Sequence, residues 1–185
     1  ADEEPFAPNN PRGHRSSLNG EGMRKGTKAG EGATREVAAY LLDHGGFAGV
    51  PATSLVHLTD GNGQDDDDGK LGSLQEYVEN TAEAEGYGPS MFPTDEVHRI
   101  TVLDIRLANT DRNAGNILCR SDEKGKVVSL IPIDHGYALP HTLEDVCFEW
   151  EFWPQASIPY GEDVKEYVEL LDADADIEYL RENDI

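Results

Sequence analysis

Apolar positions recur at helical spacing in "GATREVAAYLLDHGG", residues 32–46. Val37, Tyr40, Leu41 and His44 follow i, i+3, i+4 and i+7. That pattern predicts an amphipathic helix with Gly45 as its C-cap and Glu36 at the edge of the apolar face. "TSLVHL", 53–58, predicts a short strand. "SLQEYVENTAEAEG", 73–86, opens with Ser73 and Glu76 at capping-box spacing and predicts a helix from Leu74. In "FPTDEVHRITVLDIRL", 92–107, Thr94 can cap a helix whose apolar face is Val97, Ile100, Leu103 and Leu107. Residues 101–107 also alternate, as a strand would. "ILCR" and "VVSLIPID" have strand composition, and "SDEKGK" between them has turn residues, so 117–134 predicts a β-hairpin. "DVCFEWEFWPQA" is aromatic-dense and predicts core. "GEDVKEYVELLD" and "DADIEYLREN" predict two acidic amphipathic helices. The fold class that follows is α+β.

Composition narrows the choices. With 15 basic against 37 acidic residues in 185, the net charge is −22. That field repels nucleic acid and anionic membrane surfaces unless charge is segregated locally. Local segregation exists: Arg12, Arg15, Arg24, Lys25 and Lys28 fall within the first 32 residues, a Pro-, Asn- and Gly-rich stretch that predicts an extended or mobile segment. No apolar run reaches the roughly 18 residues of a transmembrane helix, and "ADEEPFAPNNP" has no signal-peptide pattern. Cys119 and Cys147 form no CxxC pair, so a reducing cytoplasmic or nuclear setting is expected.

The densest chemical signal is "LDIRLANTDRNAGNIL", 103–118, with Asp111, Arg112, Asn113 and Asn116 between apolar flanks. In an antiparallel hairpin the start of the first arm and the end of the second lie together. Asn116 precedes one arm and Asp134 ends the other, so Asp111, Asn116 and Asp134 should share one end of the hairpin. An amide and a carboxylate oxygen suit Mg²⁺, which takes one or two carboxylates plus waters and phosphate oxygens. Asp111 is then left to accept a proton. This is the division of labour of kinase phosphoryl transfer. Asp111 and Asn116 are five positions apart and Asp134-His135-Gly136 stands where the protein-kinase signature has Asp-Phe-Gly. The plain alternative is a polar turn whose Asp and Asn satisfy backbone donors.

"VHRITVLDIRLANTDRNAGNIL", "LIPIDHGYALP", "FEWEFWPQA" and "GATREVAAYLLDHGGFAGVPAT" together resemble the phosphatidylinositol 3-/4-kinase catalytic family, and most nearly its plant and algal gamma-class type II phosphatidylinositol 4-kinases. The resemblance implies a two-lobed protein-kinase-like fold, a remnant of the N-terminal lobe over 1–69 and the C-terminal catalytic lobe over 70–185. It implies Asp111 as base with Arg112 and Asn113 in its motif, Asn116 and Asp134 as magnesium ligands, and Glu36 as the helix glutamate that pairs with the ATP lysine. Adenine would lie near Leu55, Val56, His57 and Leu58. ATP and Mg²⁺ are the implied cofactors, and phosphatidylinositol the implied substrate, with peripheral membrane contact. A protein Ser/Thr substrate is the variant, which the net charge favours over an anionic bilayer.

Two departures stand out. Asn113 occupies a position where the family often has His, so a charged contact to the transferred phosphate is lost. None of Lys25, Lys28, Lys70, Lys124, Lys126 and Lys165 lies on a strand before Glu36. The ATP lysine and phosphate-covering loop are therefore expected to be missing, as are the C-terminal helices of relatives, which leaves a partial catalytic domain. A non-catalytic interaction fragment is the reading of different class. Calcium loops fail: "DGNGQDDDDGKL" has Asp65 where Gly is needed and Leu71 where Glu is needed, and "DADADI" has Ile177 at its sixth position. "GEGMRKGTKAGEG" does not fit a P-loop, and the six histidines show no metal-ligand spacing. The acidic residues from Asp163 to Asp176 predict a solvated helix surface.

Overall fold

The computed structural model describes residues 24–58, 70–143 and 145–185. The basic residues Arg12 and Arg15 and the charged loop 59–69 lie outside the described residues. Among the described residues, four α-helices, α1 (Gly32–Leu42), α2 (Thr94–Leu107), α3 (Glu162–Glu169) and α4 (Ala173–Glu182), combine with five strands: β1 (Thr53–Leu58), β2 (Lys70–Gln75), β3 (Ala82–Glu83), β4 (Ile117–Ser121) and β5 (Val127–Pro132). β1 and β2 form one antiparallel sheet, and β3-β4-β5 form a second. The architecture is mixed helix and sheet, as the α+β expectation had it.

α2 is the shared wall of two apolar clusters. Val97 and Ile100 pack with Phe92, Ile117, Cys119, Val127, Leu130, Phe148, Trp150 and Trp153. Leu103 and Leu107 pack with Ala39, Leu42, Val50 and Ala138. All four periodic residues of α2 are buried, so the helical period prevails over the local alternation. Thr94 is the first helical residue rather than the cap; Pro93 holds the N-cap position without a side-chain cap bond. Cys119 is enclosed in the hairpin, where burial pushes its thiol up to about 11, whereas Cys147 is exposed.

Three expectations are corrected. The segment from Leu74 is not a helix. β2 pairs along its length with β1, from Thr53↔Gln75 to Leu58↔Lys70, and Glu76 N donates to Ala52 O at 2.7 Å. Thr81 N then donates to Cys119 O, and β3 joins β4. The backbone groups that a helix would satisfy internally are taken by neighbouring strands.

Secondly, α1 does not bury Tyr40, Leu41 and His44; its most covered positions are Arg35, Ala38, Ala39 and Leu42, together with Val37. Alanines allow close approach of backbones, and Arg35 is accommodated because its guanidinium donates to the Ala138 and Leu139 carbonyls. Gly45 lies three residues beyond α1, in the left-handed region at φ 69°.

Thirdly, Asp176 is not a solvated acid. It bonds Arg106 and accepts from His44 Nε2 at 2.6 Å, and Arg106 also donates to Leu42 O, so α4 is latched to α1 and α2. Asp172, in the "DADADI" stretch, caps α4 through the N–H groups of Asp174 and Ala175.

Burial pushes the Asp176 carboxyl up, but hydrogen bonds from Arg106 and His44 outweigh it and leave it below the usual range. A depressed folded value stabilises fully above the unfolded one, about 4, and the gain is lost as pH falls through the folded value. Asp176→Asn is expected to cost about 1 kcal/mol at pH 7. In urea unfolding the gap to the parent should narrow progressively below about pH 4.

Candidate active site

The hairpin β4–β5 sets the register of the site. Ile117 faces Pro132 and Cys119 faces Leu130, and Ile133 N donates to Asn116 O at 3.0 Å, extending the pairing one step past the strands. Asn116 and Asp134 therefore stand side by side at one end. Asp111 joins them, because Asn116 Nδ2 donates to the Asp111 carbonyl at 3.0 Å. That bond fixes the amide so that Oδ1 is its remaining polar atom. Asp134 sits in the left-handed region at φ 55°, a conformation that Asp tolerates better than most residues, at a cost of about 1 kcal/mol. A carboxylate and an amide oxygen at one hairpin end are the kind of donors that suit a magnesium ion carried in with phosphate, whose remaining positions are filled by water and phosphate oxygens. Among the described residues, no group of three or more His, Cys, Asp or Glu side chains could hold a metal ion alone.

The loop before the hairpin is held from several sides. Asp111 N donates to Asn109 Oδ1 at 3.1 Å. Thr110 Oγ1 donates to Tyr137 O at 3.0 Å, tying the loop to the segment after Asp134. Asn113 spends its amide inside the turn: Nδ2 donates to Asp111 O at 3.0 Å and Oδ1 accepts from Gly115 N at 2.9 Å. A Cβ on Gly115 would lie 3.0 Å from that oxygen, so the turn calls for glycine there.

Arg112 is the centre of the scaffold. Its side chain is fully covered. Nε donates to both oxygens of Asp104, at 2.9 and 3.0 Å. Nη1 donates to Asn116 O at 2.6 Å and to Ile133 O at 2.7 Å, gripping both arms of the hairpin where the site residues leave it. Trp150 Nε1 donates to Asp104 Oδ2 at 2.9 Å.

Glu36 reaches the site from α1. Its Oε1 accepts from His135 N at 2.7 Å, and His135 Nδ1 stands 3.5 Å from Oε2. Burial pushes the Glu36 carboxyl up, but the His135 contacts more than offset it, so it stays below the usual range and ionised at neutral pH. A Cβ on Gly136 would lie 3.7 Å from Glu36 Oε1 and 3.8 Å from Asp134 Oδ1, at ordinary contact distance, so both carboxylates flank this glycine. Leu55 and Val56 are half-buried in β1, and His57 is exposed; the Leu58 side chain lies outside the described residues.

Asp111 alone of the three hairpin-end residues faces a cavity of about 620 Å³, whose wall includes Arg24, Lys25, Asn113, Asp145 and Phe152. Arg24 donates to Asp111 Oδ1. Sequence reading missed Asp104, Trp150, Asn109 and this Arg24 contact. Asp104 left a signal: it falls on the apolar stripe of α2, seven positions after Val97, where a lone carboxylate demands a buried partner.

The family described as phosphatidylinositol 3- and 4-kinase matches residues 1–184. The chain is 54% identical over 194 residues to phosphatidylinositol 4-kinase gamma 4 of Arabidopsis thaliana, covering 97% of this chain and 34% of that protein. It is 51% identical over 193 residues to phosphatidylinositol 4-kinase gamma 4 of Oryza sativa subsp. japonica, covering 97% and 33%. Gamma 3 of Arabidopsis thaliana is 49% identical over 199 residues, with 97% and 35% covered. The chain thus spans about a third of the length of these curated relatives.

Removing Arg112 leaves Asp104 charged, buried and short of its partner, and releases two carbonyls. Arg112→Met is expected to cost about 3–5 kcal/mol in urea unfolding. Trp150→Phe, which deletes one bond to the same carboxylate, should cost about 2 kcal/mol. Neutral behaviour of both would contradict the scaffold role.

Proposed function

The chain belongs to the phosphatidylinositol 3- and 4-kinase family, and we propose that it serves as a phosphotransferase, moving the γ-phosphate of ATP to a hydroxyl of an inositol lipid within a two-lobed, protein-kinase-like fold. One observation supports the reading: Asp111 and Asn116 are bonded at the hairpin end where Ile133, the neighbour of Asp134, pairs with Asn116.

Asn116 and Asp134 would hold magnesium, which when bound with ATP neutralises charge on its phosphates. The chain's own part is positional and acid–base. The Asp111 side chain borders the cavity while its carbonyl accepts the Asn116 amide, so a hydroxyl entering the cavity would meet the carboxylate of the residue bonded to Asn116. As that oxygen bonds to phosphorus, its proton passes to Asp111. Arg112 is the positioning residue that keeps the two hairpin arms in register. Glu36 holds the Asp134–Gly136 turn through His135 N, which makes α1 part of the site. Asn113 closes the loop with neutral hydrogen bonds and adds no charge. The ATP adenine is assigned to the β1–β2 side, near Leu55 and Val56. An inositol-lipid acceptor implies peripheral contact with the cytoplasmic face of a membrane. Among the described residues, no helix is long and apolar enough to cross one.

Two substitutions separate the roles. Asp134→Ala should abolish the thermal shift produced by Mg-ATP. Asp111→Ala should retain that shift and lose turnover on phosphatidylinositol vesicles by about a hundredfold or more. An unaltered rate in Asp111→Ala would refute the base assignment. Turnover on a protein substrate but not on vesicles would refute the lipid acceptor.

A further inference from the structure

Arg24 occupies the candidate base. Its Nη2 donates to Asp111 Oδ1, and it does so from the rim: the Arg24 side chain is 52% exposed, against 13% for Asp111. A guanidinium on Oδ1 fills the position that an acceptor hydroxyl needs. The Arg24 backbone, by contrast, is anchored. Thr27 donates to Arg24 O through both N and Oγ1, at 3.3 and 2.6 Å, and His141 N donates to Gly26 O at 2.7 Å. Gly26 makes the turn at φ 80°, where a Cβ would strike Thr142 O at 2.8 Å. A fixed backbone with a half-exposed side chain permits the guanidinium to swing without moving the chain.

We propose that Arg24 gates Asp111, and that the gate opens for an acceptor carrying its own phosphate beside its hydroxyl. This rests on the reading of Asp111 as the base. A planar guanidinium pairs with phosphate as well as with carboxylate. Arg24 and Lys25 supply cationic wall to the cavity, and Phe152 adds an exposed apolar edge. Asp145 and Glu149 also line it; Glu149 Oε2 is engaged by Ala114 N at 2.7 Å. These carboxylates disfavour an anion anywhere except against the Arg24 side of the wall. A phosphodiester-linked polyol docked there draws Arg24 off Asp111. The freed Oδ1 takes the hydroxyl proton while the hydroxyl oxygen bonds to the γ-phosphorus and the phosphorus–oxygen bond to ADP breaks, its electron pair leaving with ADP. Water, free inositol and neutral protein hydroxyls bring no phosphate and leave the base paired.

Calorimetric titration of the full chain with glycerophosphoinositol, without ATP, tests the exchange independently of turnover. Arg24→Gln should weaken binding about tenfold. Asp111→Asn, which no longer competes for Arg24 as an ion, should tighten it about fivefold. Binding of myo-inositol should respond to neither. Repeating the titration with phosphatidylinositol vesicles assigns the membrane-bound headgroup if binding is tighter there, and the soluble phosphate if it is equal. With Mg-ATP, Arg24→Gln should lower the kcat/KM ratio of glycerophosphoinositol to myo-inositol and raise hydrolysis of ATP by water. Binding unweakened in Arg24→Gln, or no tighter in Asp111→Asn, or an unchanged acceptor ratio, would overturn the gate. The expected binding pattern with no transfer to any acceptor would support the Arg24 exchange while overturning the phosphotransfer reading.

Discussion

Arg112 is the side chain on which the site depends. It sits with no exposure between Asp104 of α2, Trp150 of the aromatic segment and the two carbonyls that end the hairpin arms. Taking a guanidinium and a carboxylate out of water costs several kcal/mol per ion, so such a pair is weak evidence for stability. Its return is geometric. Both carboxylate oxygens, the indole N–H and two backbone carbonyls are satisfied in one arrangement, and that arrangement fixes where Asn116 and Asp134 leave the sheet. A hydrophobic replacement could fill the same volume but could not grip two carbonyls.

α2 makes this placement possible because it serves two apolar clusters at once. Val97 and Ile100 fasten the helix to the hairpin and the tryptophans, and Leu103 and Leu107 fasten it to α1. The loop from Ala108 to Asn116 thus starts from a buried helix end and finishes at a buried strand, with Ala108 in the left-handed region to turn the chain. Glu36 is brought to the same spot by the close packing of Ala38 and Ala39. The backbone clamp of Arg112 on the Asn116 and Ile133 carbonyls thus stands at the hairpin end where the Asp111 carbonyl accepts the Asn116 amide.

Charge is distributed against the overall balance. The chain carries −22, yet Arg24 and Lys25 stand at the cavity beside Asp111. Long-range repulsion of anions falls off within a Debye length of roughly 8 Å at physiological salt. A local cationic wall can therefore hold a phosphate that the molecule as a whole repels.

Local pattern was enough for the strand 53–58, helix 94–107, the hairpin and the two acidic helices, because each has a period or turn chemistry that its own residues impose. It was also enough to bring Asp111, Asn116 and Asp134 to one end, since antiparallel pairing has only one way to join adjacent arms. It failed from Leu74 onward, where capping-box spacing signalled a helix but strands β1 and β4 claimed the backbone. It failed again on α1, where the buried face is chosen by how closely Ala38 and Ala39 approach their neighbours rather than by which residues are most apolar. Arg35 and Arg112 could not be recognised as enclosed from sequence, because a charged residue is buried only when the fold brings partners to complete its hydrogen bonds. The sequence by itself thus determined the elements whose period or turn chemistry is local, and the chemistry carried at the hairpin end. The tertiary structure alone decided which charges are paired inside and which, like Arg24, remain able to move.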